Sequence, residues 1–186
     1  MPSVKESKIV FDQKLVVEEA TIVAKDKEYT RLRVKREDAS AVLLLNTDSN
    51  KIVLTKQFRY AIHDKVKEPI LEILAGKVDK GETPLQAAIR EGEEETGYKI
   101  KSENIQLLVS CFTTPGYSSE KFHIYFATVS NSDKISTGGG LEAENESIEL
   151  IEIDPVQFIE DIKNGKIEDA KTYVSGLYFA NYIYKI

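Results

Sequence analysis

The rhythm of apolar and polar positions changes several times along the chain, and each change predicts an element. From Lys8 to Arg36 apolar residues alternate with charged ones, in "KLVVEEATIV" and again in "YTRLRVKRE", which is the two-residue period of half-exposed strands. The alternation gives way to "SAVLLLN" and "KIVLTKQFRY", two nearly continuous β-branched runs joined by the turn-forming "TDSN", and these predict a buried hairpin. A short strand is predicted in "PILEILAG" and further strands in "NIQLLVSCF", "KFHIYFATV" and "SIELIEI", the last three separated by "TTPGYSSE" and the polar "SNSDKISTGGGLEAENE". Helical spacing marks residues 84–96, then "PVQFIEDIKNG" and "DAKTYVSGLYFANYIYK". Strands mixed with a few helices predict an α/β layered sandwich. No internal repeat is visible. With 186 residues the chain holds one main domain, predicted at 38–186, and an amino-terminal β arm, predicted at 1–37.

The helix at 84–96 has clear boundaries. Thr83 is placed as N-cap, Pro84 as the first helical residue, Gln86 at the capping-box position and Gly97 at the stop. At about 100° per residue, Leu85, Ala88, Ile89, Gly92 and Thr96 share an apolar face, and Glu91, Glu94 and Glu95 fan out along its edge. Like charges at this spacing repel by a few tenths of a kcal/mol per pair when exposed, and by more when partly buried. A cation among them is therefore expected. Mg²⁺ suits the position, because it is a hard ion that binds carboxylates together with substrate phosphates. The competing reading is a solvated glutamate-rich face. Gly92, which costs a mid-helix position roughly 1 kcal/mol relative to Ala, argues for close packing instead. Arg90 is placed to orient the acids. The strand and glycine-bearing loop before the helix offer a backbone carbonyl as a further ligand.

Composition narrows the function classes. The chain is 41% hydrophobic and 30% charged, as expected of a globular protein, and its net charge of -6 disfavours nucleic acid and anionic membranes as partners. Cys111 is the single cysteine, which excludes an intrachain disulfide and a thiolate zinc site; within "IQLLVSCF" it is expected to be a buried, inert thiol. The segment "MPSVKESKIVFDQK" lacks the apolar core of a signal peptide and no stretch reaches membrane-spanning length, so a cytoplasmic protein is expected. His63 and His123 have no partners at metal-ligand spacing and are assigned no chemistry. The aromatic run "YVSGLYFANYIY" reads as packing rather than as a cofactor box.

Gly76, Glu82, Arg90, Glu91, Glu94, Glu95 and Gly97 stand in the spacing of the Nudix box, G-x5-E-x7-R-E-U-x-E-E-x-G-U, and the chain resembles the Nudix hydrolases on that ground. Two bulky-aliphatic positions depart from the pattern, being Gly92 and Tyr98. The resemblance implies an α/β/α sandwich with a mixed sheet and an amino-terminal β-strand extension. It also implies hydrolysis of a nucleoside diphosphate linked to another group, with two or three Mg²⁺ ions, or Mn²⁺ in their place. By position, Glu91 and Glu95 are the implied metal ligands, Glu94 adds to the cluster, and the Ala75 carbonyl is a further candidate. Glu82, Gly76 and Gly97 would be structural, and Arg90 would orient the acids.

Beyond the box, the chain resembles the ADP-ribose and GDP-mannose pyrophosphatase branch. "QFRYA" and "LEILAG" put Arg59 and Glu72 at the substrate, with a surface ion pair as the competing reading for Arg59. "TTPGYSSE" resembles a loop lining the sugar site, which implicates Pro115, Gly116 and Glu120; an ordinary turn is the alternative. "GGGLEAENESIELIEI" resembles the loop that delivers late acids, with Glu144 as candidate general base, Glu146 as added metal ligand and Glu142 in reserve. The branch forms homodimers through the arm, so Arg31 or Arg33 would reach the partner's ligand; an edge strand protected by charge competes with that reading. Two other functions remain open. One is a catalytically silent nucleotide-sugar sensor, and the other a hydrolase of nucleoside triphosphates or capped RNA.

Overall fold

Two apolar runs form the hairpin at the centre of the molecule. The computed structural model, which describes residues 1–140 and 148–184, pairs β4 (Ala39–Asn46) with β5 (Lys51–Gln57) antiparallel, Leu44 opposite Val53. Nearly all of β4 is buried, as a continuous apolar run covered on both faces should be. Along it, Ala41 and Leu43 face one way and Val42 and Leu44 the other, and each pair belongs to a separate core.

The arm is a three-stranded antiparallel sheet of its own, β1 (Ser3–Asp12), β2 (Val16–Ala24) and β3 (Lys27–Lys35). β1 begins earlier than the alternation suggested, and it is exposed along its whole length. The main sheet adds β6 (Ile70–Glu72), β7 (Leu74–Lys77), β8 (Ile105–Phe112), β9 (Lys121–Val129) and β10 (Glu149–Ile153). Its order is β10-β5-β4-β9-β8, with β6 on β5 and β7 on β4. Only β4 and β9 run parallel among these pairs, so the sheet is mixed.

Helix α1 (Pro84–Thr96) covers one face, where Ala88 packs with Val42, Leu44 and Leu74. Helices α2 (Pro155–Lys163) and α3 (Ala170–Tyr178), with the π-helical turn Phe179–Ile183, lie on the other side, where Phe158, Ile162 and Phe179 pack with Leu43 and Leu54. The result is the expected three-layer α/β/α sandwich. Among the described residues no helix is long and apolar enough to cross a membrane.

Three expectations need correction. "PILEILAG" is not one strand: the chain leaves β5 after Glu72 and joins β4 at Leu74, so Ile73 belongs to neither ladder. Leu85 is 37% exposed, because α1 sits down on its small residues Ala88 and Gly92 rather than on its first turn. A methyl on Gly92 would overlap Ile100 Cδ1 and lie 3.4 Å from Val42 Cγ1, which explains the mid-helix glycine. Cys111 is only half-buried, since β8 is the last strand of the sheet.

Candidate functional site

The acidic edge of α1 is organised by one arginine. The capping box forms as the sequence predicts, Thr83 Oγ1 accepting from the Gln86 amide while Gln86 accepts from the Thr83 amide. From that start Arg90 reaches Glu82 by two bonds of 3.0 Å, from Nε and Nη2. Its Nη1 donates to Glu91 Oε1 at 2.7 Å and to Glu94 Oε2 at 3.2 Å, and Nη2 also donates to the Lys77 carbonyl at 3.0 Å. Glu82 in turn accepts from the Asp79 amide, so loop and helix are tied at both ends. The Arg90 bond holds the Glu82 carboxyl below the usual carboxylate range, and Glu82, then Glu91, raise the guanidinium further above its ordinary value.

Gly76 and Gly97 have steric reasons to be glycine. The Glu91 carboxylate lies so close to the Cα of Gly76 that any side chain there would overlap it. Gly97 ends α1 with φ of 72°, in the left-handed region, and a methyl on it would overlap the Ser136 carbonyl. Residues 134–139 then strap the helix end. Lys134 Nζ donates to the Thr96 carbonyl at 2.6 Å, the Ile135 amide to the Gly97 carbonyl at 2.8 Å, and the Gly139 amide to the Glu95 carbonyl at 2.7 Å. Glu95 is thereby fixed through its backbone, with only 6% of its surface exposed.

These donors suit a hard divalent cation in kind, since the carboxylates of Glu91, Glu94 and Glu95 and the backbone of Ala75 offer oxygen alone. The space that glycine leaves at position 76 admits a carboxylate beside Ala75, a placement with no use in packing. Among the described residues no three His, Cys, Asp or Glu side chains converge on a single metal position. Arg90 draws Glu91 and Glu94 toward itself instead. Glu142, Glu144 and Glu146, the late acids of the sequence reading, lie outside the described residues.

A cavity of about 520 Å³ opens beside the box, bordered by Ala75, Gly76, Arg90 and Glu91 and also by the cluster of Arg59, Glu72 and Lys171. Glu72 is 2% exposed and holds both cations. Arg59 donates from Nε to Oε1 at 2.6 Å and from Nη2 to Oε2 at 3.0 Å, and Lys171 Nζ donates to Oε2 at 2.8 Å. Burial alone would push the Glu72 carboxyl up; the Arg59 hydrogen bond and the charges of Lys171 and Arg59 outweigh it and hold the group below its ordinary value. Burial likewise acts to lower Lys171, and Asp169 with Glu72 overrides it and raises the ammonium. Arg59 is thus in an ion pair, as the competing reading had it, but with a buried acid and on the cavity wall.

Lys171 and Asp169 were not found by sequence reasoning. Their signal was "EDAKT", an N-capping Asp followed two residues later by a Lys that the helix start turns inward. Glu120 borders the cavity and pairs with Arg36 at 3.0 Å, a further residue the sequence reading passed over. Pro115 and Gly116 do not border it. Their turn is held to β3 instead, where the Val34 amide donates to the Tyr117 carbonyl at 2.7 Å. Arg33 pairs with Glu18 at 2.8 Å and Arg31 lies 4.4 Å from the Tyr29 ring, so neither reaches the cavity of its own chain. His123 bridges Ser110 and Asp38, each at 2.9 Å.

Comparison with known proteins adds four findings. The model of the NUDIX domain matches residues 35–173. The chain is 35% identical over 149 residues to the methanol dehydrogenase activator of Bacillus methanolicus, covering 80% of this chain and 76% of that protein. It is 32% identical over 172 residues to the GDP-mannose pyrophosphatase of Escherichia coli K12, covering 89% and 87%. The crystal structure of an ADP compounds hydrolase superposes with a TM-score of 0.75 at 19% identity, covering 95% of this chain and 90% of that one, and shares the fold.

Proposed function

The chain belongs to the NUDIX family and is a pyrophosphatase of the Nudix hydrolase kind; from that premise we propose that it cleaves the diphosphate bond of a nucleoside diphosphate sugar, GDP-mannose or ADP-ribose, to a nucleoside monophosphate and a sugar phosphate. The observation that carries this reading is the single cavity that joins the acidic helix, at Glu91, to the cations Arg59 and Lys171. Such a span suits a ligand with a diphosphate at the acids and a polar group beyond it. The relationship to GDP-mannose pyrophosphatase over most of both chains supports the substrate class.

In this reading Glu91, Glu95 and the Ala75 carbonyl would hold Mg²⁺, or Mn²⁺ in its place, and Glu94 and Glu146 would complete a site for two or three ions. When bound, the metal neutralises the diphosphate and polarises phosphorus. Arg90 keeps Glu91 and Glu94 in place through its bonds of 2.7 and 3.2 Å. Arg59 and Lys171 meet the anionic or hydroxyl groups of the substrate, and Glu72, Glu120 and Arg36 hold their side of the cavity. A carboxylate within hydrogen-bond reach removes the proton of the attacking water, a role the resemblance gives to Glu144. We propose further that residues 1–37 are a dimer-forming arm, because β1 leaves Val4, Ile9 and Phe11 exposed at the edge of the three-stranded sheet. Arg31 and Arg33 would then serve the partner's site, and the Pro115–Gly116 turn would position that arm.

The substrate panel tests this reading. With Mg²⁺ present, GDP-mannose, ADP-ribose, a set of dNTPs and capped RNA are offered separately and products identified by chromatography. Turnover of one sugar nucleotide with a kcat/KM at least about tenfold above any dNTP or capped RNA is expected. Turnover of the dNTPs or capped RNA alone contradicts it.

A further inference from the structure

The segment that borders the cavity at Glu72 and again at Ala75 and Gly76 changes ladder at Ile73, and the amino terminus of α3 holds it there. β6 ends at Glu72 on β5, and β7 begins at Leu74 on β4. The Ile73 amide, left between the two ladders, donates at 2.8 Å to Oγ1 of Thr172, 99 residues away in sequence. Thr172 is fully buried. Its hydroxyl can donate once, and that hydrogen goes to Asp169 Oδ2 at 2.6 Å. Asp169 Oδ2 also caps α3 by accepting from the Thr172 amide at 2.9 Å, while Oδ1 takes Lys171 Nζ at 2.6 Å. Lys171 returns to Glu72 at 2.8 Å, next to Ile73 in the chain.

The bonds close a ring: Ile73 to Thr172, Thr172 to Asp169, Asp169 to Lys171, Lys171 to Glu72. An N-cap alone would need only the bond from Asp169 to the Thr172 amide. The remaining bonds fix the point from which Glu72 points toward Arg59 on one side and Ala75 and Gly76 run toward Glu91 on the other. Burying a Lys at 8% exposure and leaving a strand amide to a side chain makes sense where that point must not move. We propose that Thr172 and Asp169 are positioning residues for substrate binding, setting the distance between the cationic and acidic ends of the cavity. The proposal rests on the nucleotide-sugar reading of that cavity.

The test separates binding from turnover. The affinity of the full-length protein for GDP-mannose and for ADP-ribose is measured by titration calorimetry in EDTA, where hydrolysis does not enter, alongside KM and kcat in Mg²⁺. Thr172→Val keeps the side-chain shape but loses the hydroxyl; it is expected to raise Kd and KM about tenfold while kcat stays within about threefold. Thr172→Ser restores the hydroxyl and is expected to return Kd to within about twofold of wild type. Faster hydrogen exchange at the Ile73 amide in the Val variant alone marks the lost bond. If Thr172→Val does not fold, Asp169→Asn, which keeps a capping oxygen and removes the negative charge that pairs with Lys171, is expected to weaken binding in the same direction. A folded Thr172→Val or Asp169→Asn protein with wild-type Kd overturns the proposal. Wild-type binding without turnover overturns the hydrolase reading and leaves the positioning role tested by Kd; absence of both binding and turnover overturns both.

Discussion

Glu91→Gln is expected to lower kcat about 10³-fold while KM stays within about threefold and the melting temperature changes little. The substitution keeps the side-chain volume, so the close approach to Gly76 survives. Arg90 retains both bonds of 3.0 Å to Glu82 and its bond to Glu94, and the helix start is untouched. What disappears is one negative charge on the cavity wall beside Ala75, where the proposed metal neutralises the diphosphate. Steady-state kinetics with the preferred sugar nucleotide, together with a thermal melt, separates the two consequences. A Gln variant that keeps wild-type kcat removes Glu91 from the chemistry.

Glu72→Gln is expected to act on stability instead, lowering it by about 2–4 kcal/mol at neutral pH because two cations lose the carboxylate that satisfies them. The lower part of that range is favoured, since the Arg59 side chain is 41% exposed and can be re-solvated, whereas Lys171 at 10% cannot. For a domain of this size the melting temperature should fall by roughly 5–10 °C. The pH dependence follows from the direction of the shift. The folded Glu72 carboxyl titrates below its unfolded value, so its contribution is complete above the ordinary carboxylate range and is lost as pH falls through the folded value. Lys171 is raised, so its contribution is complete below the ordinary lysine value and is lost only as pH rises through the higher folded one. Wild type and Glu72→Gln should therefore differ most from neutral to mildly alkaline pH and converge in acid. Thermal melts across that range check it, and a constant difference down to acid would show that Glu72 is not held as an ion pair.

Local pattern carried much of this architecture. The capping box, Gly97 stop and small-residue face of α1 are encoded within a few residues, and so the helix was readable to its ends. β9 was likewise readable to its ends, because its apolar run is buried between β4 and β8. Long-range geometry was not readable. The change of ladder at Ile73 depends on which strands lie on either side, and "PILEILAG" alone gives no sign of it. Lys171, held by Asp169, reaches Glu72 across 99 residues of sequence, from a helix start that looks like any other. Motif resemblance pointed to Glu91 and Arg59, which border the cavity, but could not tell that Pro115 and Gly116 turn toward the arm instead.

Phosphatase-coupled product formation decides whether the acidic helix and the Arg59 cluster serve one sugar-nucleotide hydrolase site. Wild type and Glu95→Gln are each given GDP-mannose and ADP-ribose with Mg²⁺. Turnover of at least one of them by wild type is expected, with its collapse in the variant. Wild-type protein that binds a sugar nucleotide tightly without cleaving either would contradict it and leave a sensor in its place.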